Sequence, residues 1–327
     1  MKAKPIEKLA AVLWVGIWTL GGCEAVDNGD NGTDYLISLE DSSQTDNFPQ
    51  PPVDDVEDSD NPPVDLSFTR VRMDEGHFNF HKLSTTFAPF GELLANAGFD
   101  VAAINAVFTA DSLANVDILV IVNALNEADV EDWDQPTSSA FSNDEIAAVN
   151  TWVASGGALF LIADHMPMGG AAAALAASFG FGFNDGFLVS ASNRNCVKRS
   201  FSFDNGNLQH HPIVDGADET EAVDFVMSFC GQGFTIPPES SPLLVLDEYA
   251  IVIFPEISWT WDEETPAITA ENMVQGATMP YGDGRVAAFG EASMFTCKAE
   301  NSGMCNPDAP QNKQFLLNVA HWLDEML

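Results

Sequence analysis

Two hydrophobic periods alternate along this chain. Short apolar runs bounded by polar or turn residues predict strands over Leu66–Met73, Asp100–Ile104, Ile118–Val122, Ala158–Ala163, Leu243–Leu246, Ile251–Phe254 and Val286–Phe289. Ile118–Val122 and Ala158–Ala163 are apolar at every position, as strands covered on both faces must be. Helical spacing lies between such runs. Ala88–Ala97 carries Pro89 in its first turn and Gly98 at its end. Ser142-Asn143-Asp144-Glu145 reads as a capping box opening a helix with Ile146, Val149, Trp152 and Val153 on one face. Gly156-Gly157 stops it. A last helix over Gln311–Met326 turns Phe315, Leu316, Val319, Trp322 and Leu323 to the core. This alternation predicts an α/β fold, a mostly parallel sheet with helices on both faces. Residues 186–281 hold neither period for long, which predicts an inserted hairpin or a cap.

The first residues break the pattern. Lys2, Lys4 and Lys8 precede an apolar run from Leu9 to Leu20, too short for the ~20 residues of a bilayer span. The run closes on Leu20-Gly21-Gly22-Cys23. A basic start, a short apolar stretch and small residues before a cut describe a secretory signal. Leu-Gly-Gly-Cys resembles the bacterial lipobox, whose cysteine is acylated and becomes the new N-terminus. The expectation is a leader over 1–22, lipid on Cys23 and membrane attachment through that lipid. Glu24, where an aspartate would resemble an inner-membrane retention signal, points to the outer membrane of the cell envelope. Residues 23–66 follow as an acidic, Pro-rich segment. From Glu24 through Thr69 there is no Lys or Arg, and so little apolar surface predicts a disordered tether. Residues 67–327 make up the α/β domain.

The cysteines fit export. There are five, an odd number, and lipid on Cys23 leaves four that allow three pairings. The favoured pairs are Cys297–Cys305, closing a short polar loop, and Cys196–Cys230, both suited to an oxidising compartment. Metal ligation by cysteine is the weaker alternative, because no C-x-x-C spacing occurs. Lys and Arg number 12 against 49 Asp and Glu, a formal charge of -37. Such a surface repels polyanions and excludes nucleic acid as a partner. Its simplest reading is a well-solvated face.

Chemistry-bearing residues cluster where strands end. The first strand leads to Asp74, Glu75, His77, Asn79 and His81; the third to Asn123; the fourth to Asp164 and His165; a late strand to Glu291 and Ser293. In open parallel sheets, ligands bind beyond the carboxyl ends of the strands. Carboxylates and imidazoles there could serve acid–base chemistry or hold a divalent metal ion. Each residue also has a structural reading as a cap or turn. For His210-His211-Pro212 and His321 that reading is preferred.

Several stretches together resemble a known superfamily. They are Phe141-Ser142-Asn143-Asp144-Glu145 leading to Trp152-Val153 and Gly156-Gly157, then Leu159–His165; Asp74-Glu75-Gly76-His77; His211-Pro212-Ile213 with Gly216; and Tyr281–Val286 leading into Gly290-Glu291-Ala292. Over about Ser67 to Leu327 the chain resembles the class I glutamine-amidotransferase-like superfamily, in its ThuA-like or a neighbouring bacterial branch. The resemblance implies a flavodoxin-like sheet with a pocket above the turn after Ala163, and contact with carbohydrate. Amidotransferases carry a catalytic cysteine at that turn. Asp164 and His165 stand here instead, which argues against a Cys–His glutaminase.

The expected function is a cell-envelope hydrolase, metal-assisted, acting on a small polar or saccharide substrate. Asp74, His77, Asp164 and His165 would form the site, with Glu291 in acid–base support and His77, Asp164 and His165 as metal ligands. The alternative is a non-catalytic module that holds a glycan or a protein at the same rim. A third reading leaves the rim residues as helix caps in a structural component.

Overall fold

The structure is a computed structural model and describes residues 68–327. The expected leader, Cys23 and the acidic tether lie outside the described residues.

The apolar runs become strands close to their expected bounds. β1 (Arg70–Asp74) and α1 (Ala88–Asn96) are followed by β2 (Asp100–Ile104), the short α2 (Ala110–Leu113) and β3 (Ile118–Val122). Next come α3 (Asn143–Ala154), β4 (Ala158–Ile162) and α4 (Met168–Ser178). β5 (Phe187–Ser190), β6 (Arg199–Ser202), α5 (Pro212–Asp215), β7 (Phe225–Ser228), β8 (Ser241–Val245), β9 (Ala250–Ile253) and β10 (Ala267–Thr269) follow, of which β8 and β9 match expected strands. β11 (Val274–Tyr281), β12 (Gly284–Phe289) and α6 (Asn312–Leu323) close the chain.

Seven strands form one sheet in the order β2-β1-β3-β4-β12-β11-β8. Its first five strands are mutually parallel, whereas β11 runs antiparallel to both β12 and β8. This is a flavodoxin-like α/β sheet. Strand periodicity explains its two cores. Ile118, Val120 and Val122, with Phe160, Ile162, Ala287 and Phe289, pack beneath Phe90 of α1 and Phe315 and Val319 of α6. The intervening Leu119, Ile121, Leu159, Leu161, Val286 and Ala288 face Val149 and Val153 of α3 and Leu175 of α4. Successive side chains of a strand point to opposite faces, so a fully apolar run is what a doubly covered strand requires.

Helix boundaries follow local chemistry. Ser142 accepts from the Glu145 N–H and Glu145 returns the bond, so the capping box forms as expected. Gly98, at φ 101°, ends the α1 turn in a conformation that excludes side-chained residues.

One expected strand sits elsewhere. Ile251–Phe254 lies in β9, which pairs with β5 and β10 in a separate three-stranded antiparallel sheet. Apolarity alone does not say which sheet a strand joins. Phe187, Val189 and Ile253 of this small sheet pack with Met166, just past the end of β4. The insertion is thereby fixed beside the carboxyl end of the main sheet.

Candidate functional site

Because β1, β3, β4 and β12 run parallel, Asp74, Asn123, Asp164 and Glu291 all emerge at the same edge. The structure divides these residues into two groups.

The first group is closed. Asp74 is fully buried and accepts from His77 Nδ1 at 2.8 Å, from the Gly76 N–H at 3.1 Å and from Asn79 Nδ2 at 3.0 Å. His77 Nε2 reaches Glu145 Oε1 at 2.8 Å. Its ring packs against the Phe108–Phe141 pair, at centroid distances of 4.6 and 4.9 Å. Burial pulls the imidazole down, but hydrogen bonds and charge from Asp74 and Glu145 outweigh it and raise His77 above its ordinary value. Burial pushes Glu145 up, yet its bonds from His77, Ser142 and the Phe108 N–H hold it down at about 2. With a carboxylate at each nitrogen, the ring is an imidazolium strut joining the end of β1 to the start of α3. The expected metal set of His77, Asp164 and His165 is therefore not assembled, since both His77 nitrogens are committed elsewhere. Among the described residues no group of three or more His, Cys, Asp or Glu is arranged to hold a metal ion.

The second group surrounds a cavity of about 330 Å³, within the range of small-ligand sites. Phe80, His81, Asn123, Trp133, Asp164, His165, Trp259, Ser293 and Lys298 line it, with Met168 and Cys230. Asn123 takes φ 45°, a conformation asparagine tolerates, and joins the ends of β3 and β4 to the loop after β1. Its Oδ1 accepts from the Asp164 N–H at 2.8 Å, its N–H donates to Ile162 O, and its carbonyl accepts from the Phe80 N–H. Asp164 Oδ1 in turn accepts from the His165 N–H at 2.9 Å.

His165 is oriented from both sides. Its Nδ1 donates to the Met166 carbonyl at 2.7 Å, while Nε2 makes no hydrogen bond among the described residues and has Asp164 Oδ1 4.0 Å away. Phe187 stacks under the ring at 4.3 Å and Trp259 meets it edge-on at 4.6 Å. Trp259 itself has φ 63°, an uncommon conformation for a bulky residue, and its side is 53% exposed at the cavity mouth.

His81 Nδ1 bonds Thr86 Oγ1, and its ring packs on Phe87. Burial, aided by the Lys298 charge and opposed by Asp164, holds His81 down to about 4, so it is a neutral wall. Glu291 lies just below, fully buried, accepting from the Ser293 and Met294 N–H groups at 2.8 and 2.7 Å. Burial and then the Asp164 charge raise its carboxyl well above the ordinary range. A carboxyl that keeps its proton beside an aspartate with an imidazole nearby has the composition of an acid–base site.

Both expected disulfides form, Cys196–Cys230 and Cys297–Cys305, each with Cα atoms 5.2 Å apart. Cys230 borders the cavity and Cys297 precedes Lys298, so both crosslinks brace its wall. Such crosslinks are the mark of a secreted, non-cytoplasmic protein. Among the described residues no helix is long and apolar enough to cross a membrane.

Of the residues expected from sequence, Asp164 and His165 face the cavity, Glu291 lies beneath it, and Asp74 and His77 do not line it. Sequence reasoning missed Phe80, Trp133, Trp259 and Lys298 as site residues. For Phe80, Trp133 and Trp259 the one signal is an aromatic residue in a polar stretch with no apolar period; Lys298 carries none. His211 is a cap, as preferred: its Nδ1 accepts from the Ile213 N–H at 3.2 Å.

No protein-family model matches the chain. No curated protein matches it. Solved structures do. The N-terminal domain of mmIFT52 aligns with a TM-score of 0.53 at 13% identity, over 78% of this chain and 97% of that one. ThuA-like proteins from Bacteroides uniformis and Parabacteroides merdae both align with a TM-score of 0.45. Their identities are 12% and 11%, over 80% and 79% of this chain and 95% and 90% of theirs. At these identities the likeness extends to the fold alone.

Proposed function

We propose that this chain is a cell-envelope lipoprotein whose α/β domain binds a small polar, saccharide-like ligand at the carboxyl edge of its sheet. One observation carries the reading: aromatic walls and polar groups converge on one cavity. Trp259, Trp133 and Phe80 offer flat apolar faces, while Asp164, Asn123, His165, Ser293 and Lys298 offer donors and acceptors. A sugar ring has the same division, with apolar C–H faces and a hydroxyl periphery. The Lys-rich start and Leu-Gly-Gly-Cys23 support a lipid anchor, and the disulfides agree with a compartment outside the cytoplasm.

Titration calorimetry against a panel of mono- and disaccharides tests the pocket. Binding that weakens about tenfold in Trp259→Ala and in Asp164→Asn, with unchanged circular dichroism, is the expected result. No heat with any saccharide at millimolar concentration overturns the reading.

A second reading is hydrolysis of the bound ligand, and the protonated Glu291 beside Asp164 and His165 favours it. In it, His165 Nε2 accepts a proton from attacking water and the carboxyl pair donates one to the leaving group. Turnover of chromogenic glycosides or esters that is lost in both Glu291→Gln and His165→Gln supports this reading; binding without turnover leaves a binding module.

A further inference from the structure

The cavity does not end at Trp259. A second hollow of about 450 Å³ shares Trp133 and Trp259 with it and continues along Val130, Ile257 and Ser258. A third, of about 410 Å³, shares Ile257 with the second and runs on to Phe254 and Trp261. The first two are adjoining stretches of one groove between the segment preceding α3 and the β9–β10 connection; the third meets it at Ile257 and is lined by the connection alone. Val130, Ile257 and Trp259 are exposed along it, at 38%, 51% and 53%.

The groove is preformed. Its two banks are zipped by backbone bonds, from the Gln135 N–H to Glu256 O at 2.8 Å and from the Ser258 N–H to Trp133 O at 3.0 Å. Trp259 is held with φ 63°, which turns its ring to the junction of the first two hollows. Strain of this kind in a bulky residue persists only where its surroundings enforce it, and it concentrates at binding sites. At the deep end, His165 is nine-tenths buried and its Nε2 makes no hydrogen bond among the described residues, the nearest carboxylate oxygen being Asp164 Oδ1 at 4.0 Å.

Charge narrows the occupant. Glu131, Asp132 and Asp134 line the second hollow and Glu256, Asp262 and Glu264 the third, against one lining cation, Lys298 in the first, and the Arg194 guanidinium bonded to the Asp262 and Thr265 carbonyls. Carboxylates accept hydrogen bonds from hydroxyl groups and repel carboxylate or sulfate groups. Alternating aromatic faces and acceptors suit a row of sugar rings that carry no acid groups.

We infer that the pocket is the closed end of a groove for an uncharged oligosaccharide, with one sugar in the pocket and the next units on Trp259, Trp133 and Ile257. This rests on the saccharide reading of the pocket and deepens it from a small ligand to a chain. Each further stacked unit adds an interaction of the size seen between aromatic faces, so affinity climbs about tenfold over the first few units.

The test is calorimetry on the full chain with ladders of neutral gluco-, manno- and N-acetylglucosamine oligomers, from the monosaccharide upward, beside an oligogalacturonate ladder. The expected result is tightening with length in one neutral ladder, no binding of the acidic ladder, and a ratio of tetramer to monomer affinity that falls towards one in Ile257→Ala. Monosaccharide binding without a gain on lengthening overturns the groove and leaves the pocket reading intact. Equal binding of the acidic ladder also overturns it. Silence from every saccharide removes the pocket reading, and the groove with it.

Discussion

At the scale of single residues, two histidines that look alike in sequence have opposite roles. His77 sits between two carboxylates and packs against two phenyl rings, and His165 has one nitrogen fixed and the other open. Removing His77 leaves Asp74 and Glu145 buried without their counter-charge, so His77→Ala should destabilise the domain by about 3 kcal/mol. His165→Gln should leave the melt close to wild type while ligand binding weakens. Chemical denaturation and calorimetry on the two variants separate these outcomes. Had the losses been exchanged, the division into strut and site would be wrong. Asp164 and His165 were legible as candidates because they follow a fully apolar strand. The difference between His77 and His165 was not, because it depends on Glu145, 68 residues away in sequence.

At the scale of elements, the capping box links helix stability to the strut. Ser142 holds Glu145 through its N–H at 3.0 Å and its hydroxyl at 2.8 Å, and Glu145 holds His77. Ser142→Ala should lower stability by about 1 kcal/mol, read as a shift in the denaturation midpoint. The β9–β10 connection makes a sharper case. Glycine adopts φ 63° without steric cost, so Trp259→Gly should keep stability within about 0.5 kcal/mol of wild type while binding is lost. A large loss of stability there would mean that the ring serves packing on Phe187 rather than recognition. The strands of the main sheet other than β11, with α1, α3 and α6, were read from periodicity close to their bounds, whereas β11 was missed in the stretch without clear period. Of the small sheet only β9 was read, because β5 and β10 are short and pair with it across long loops, leaving only a few residues to show any period.

At the scale of the whole molecule, buried titrating groups set a pH window. His81 and His211 are held down to about 4, chiefly by burial. Each stays neutral in the fold while the unfolded chain takes up a proton, so their contribution is whole above about pH 6.5 and is lost as pH falls towards 4. His77 has the opposite sign: its raised value makes its contribution whole below about pH 6.5 and lost as pH climbs through the folded value. Glu291 also keeps a proton that the unfolded chain releases, so its contribution declines above the ordinary carboxylate value of 4.5. Stability should therefore peak in the mildly acid range. Melts across pH check this, with the acid limb flattened in His81→Gln and the alkaline limb flattened in Glu291→Gln. A melting temperature that rises steadily into the alkaline range would contradict it. For the whole cell, Cys23→Ala should move the protein from the membrane fraction to the soluble fraction, as fractionation would detect.

What the sequence determined by itself is what local physics governs. Apolar strands with two covered faces, a capping box, helix stops at glycine and paired cysteines all depend on neighbours within a few positions or on composition. They were enough for an α/β sheet and for a rim of carboxylates and imidazoles at its carboxyl edge. The tertiary structure decided which of those residues meet. It spent Asp74 and His77 on a strut to α3, kept Asp164 and His165 open over Glu291, and brought Trp133, Trp259 and Lys298 to the same cavity from separate loops. The physical reason is that a loop side chain takes its place from long-range backbone pairing and packing, which leave no period in the chain.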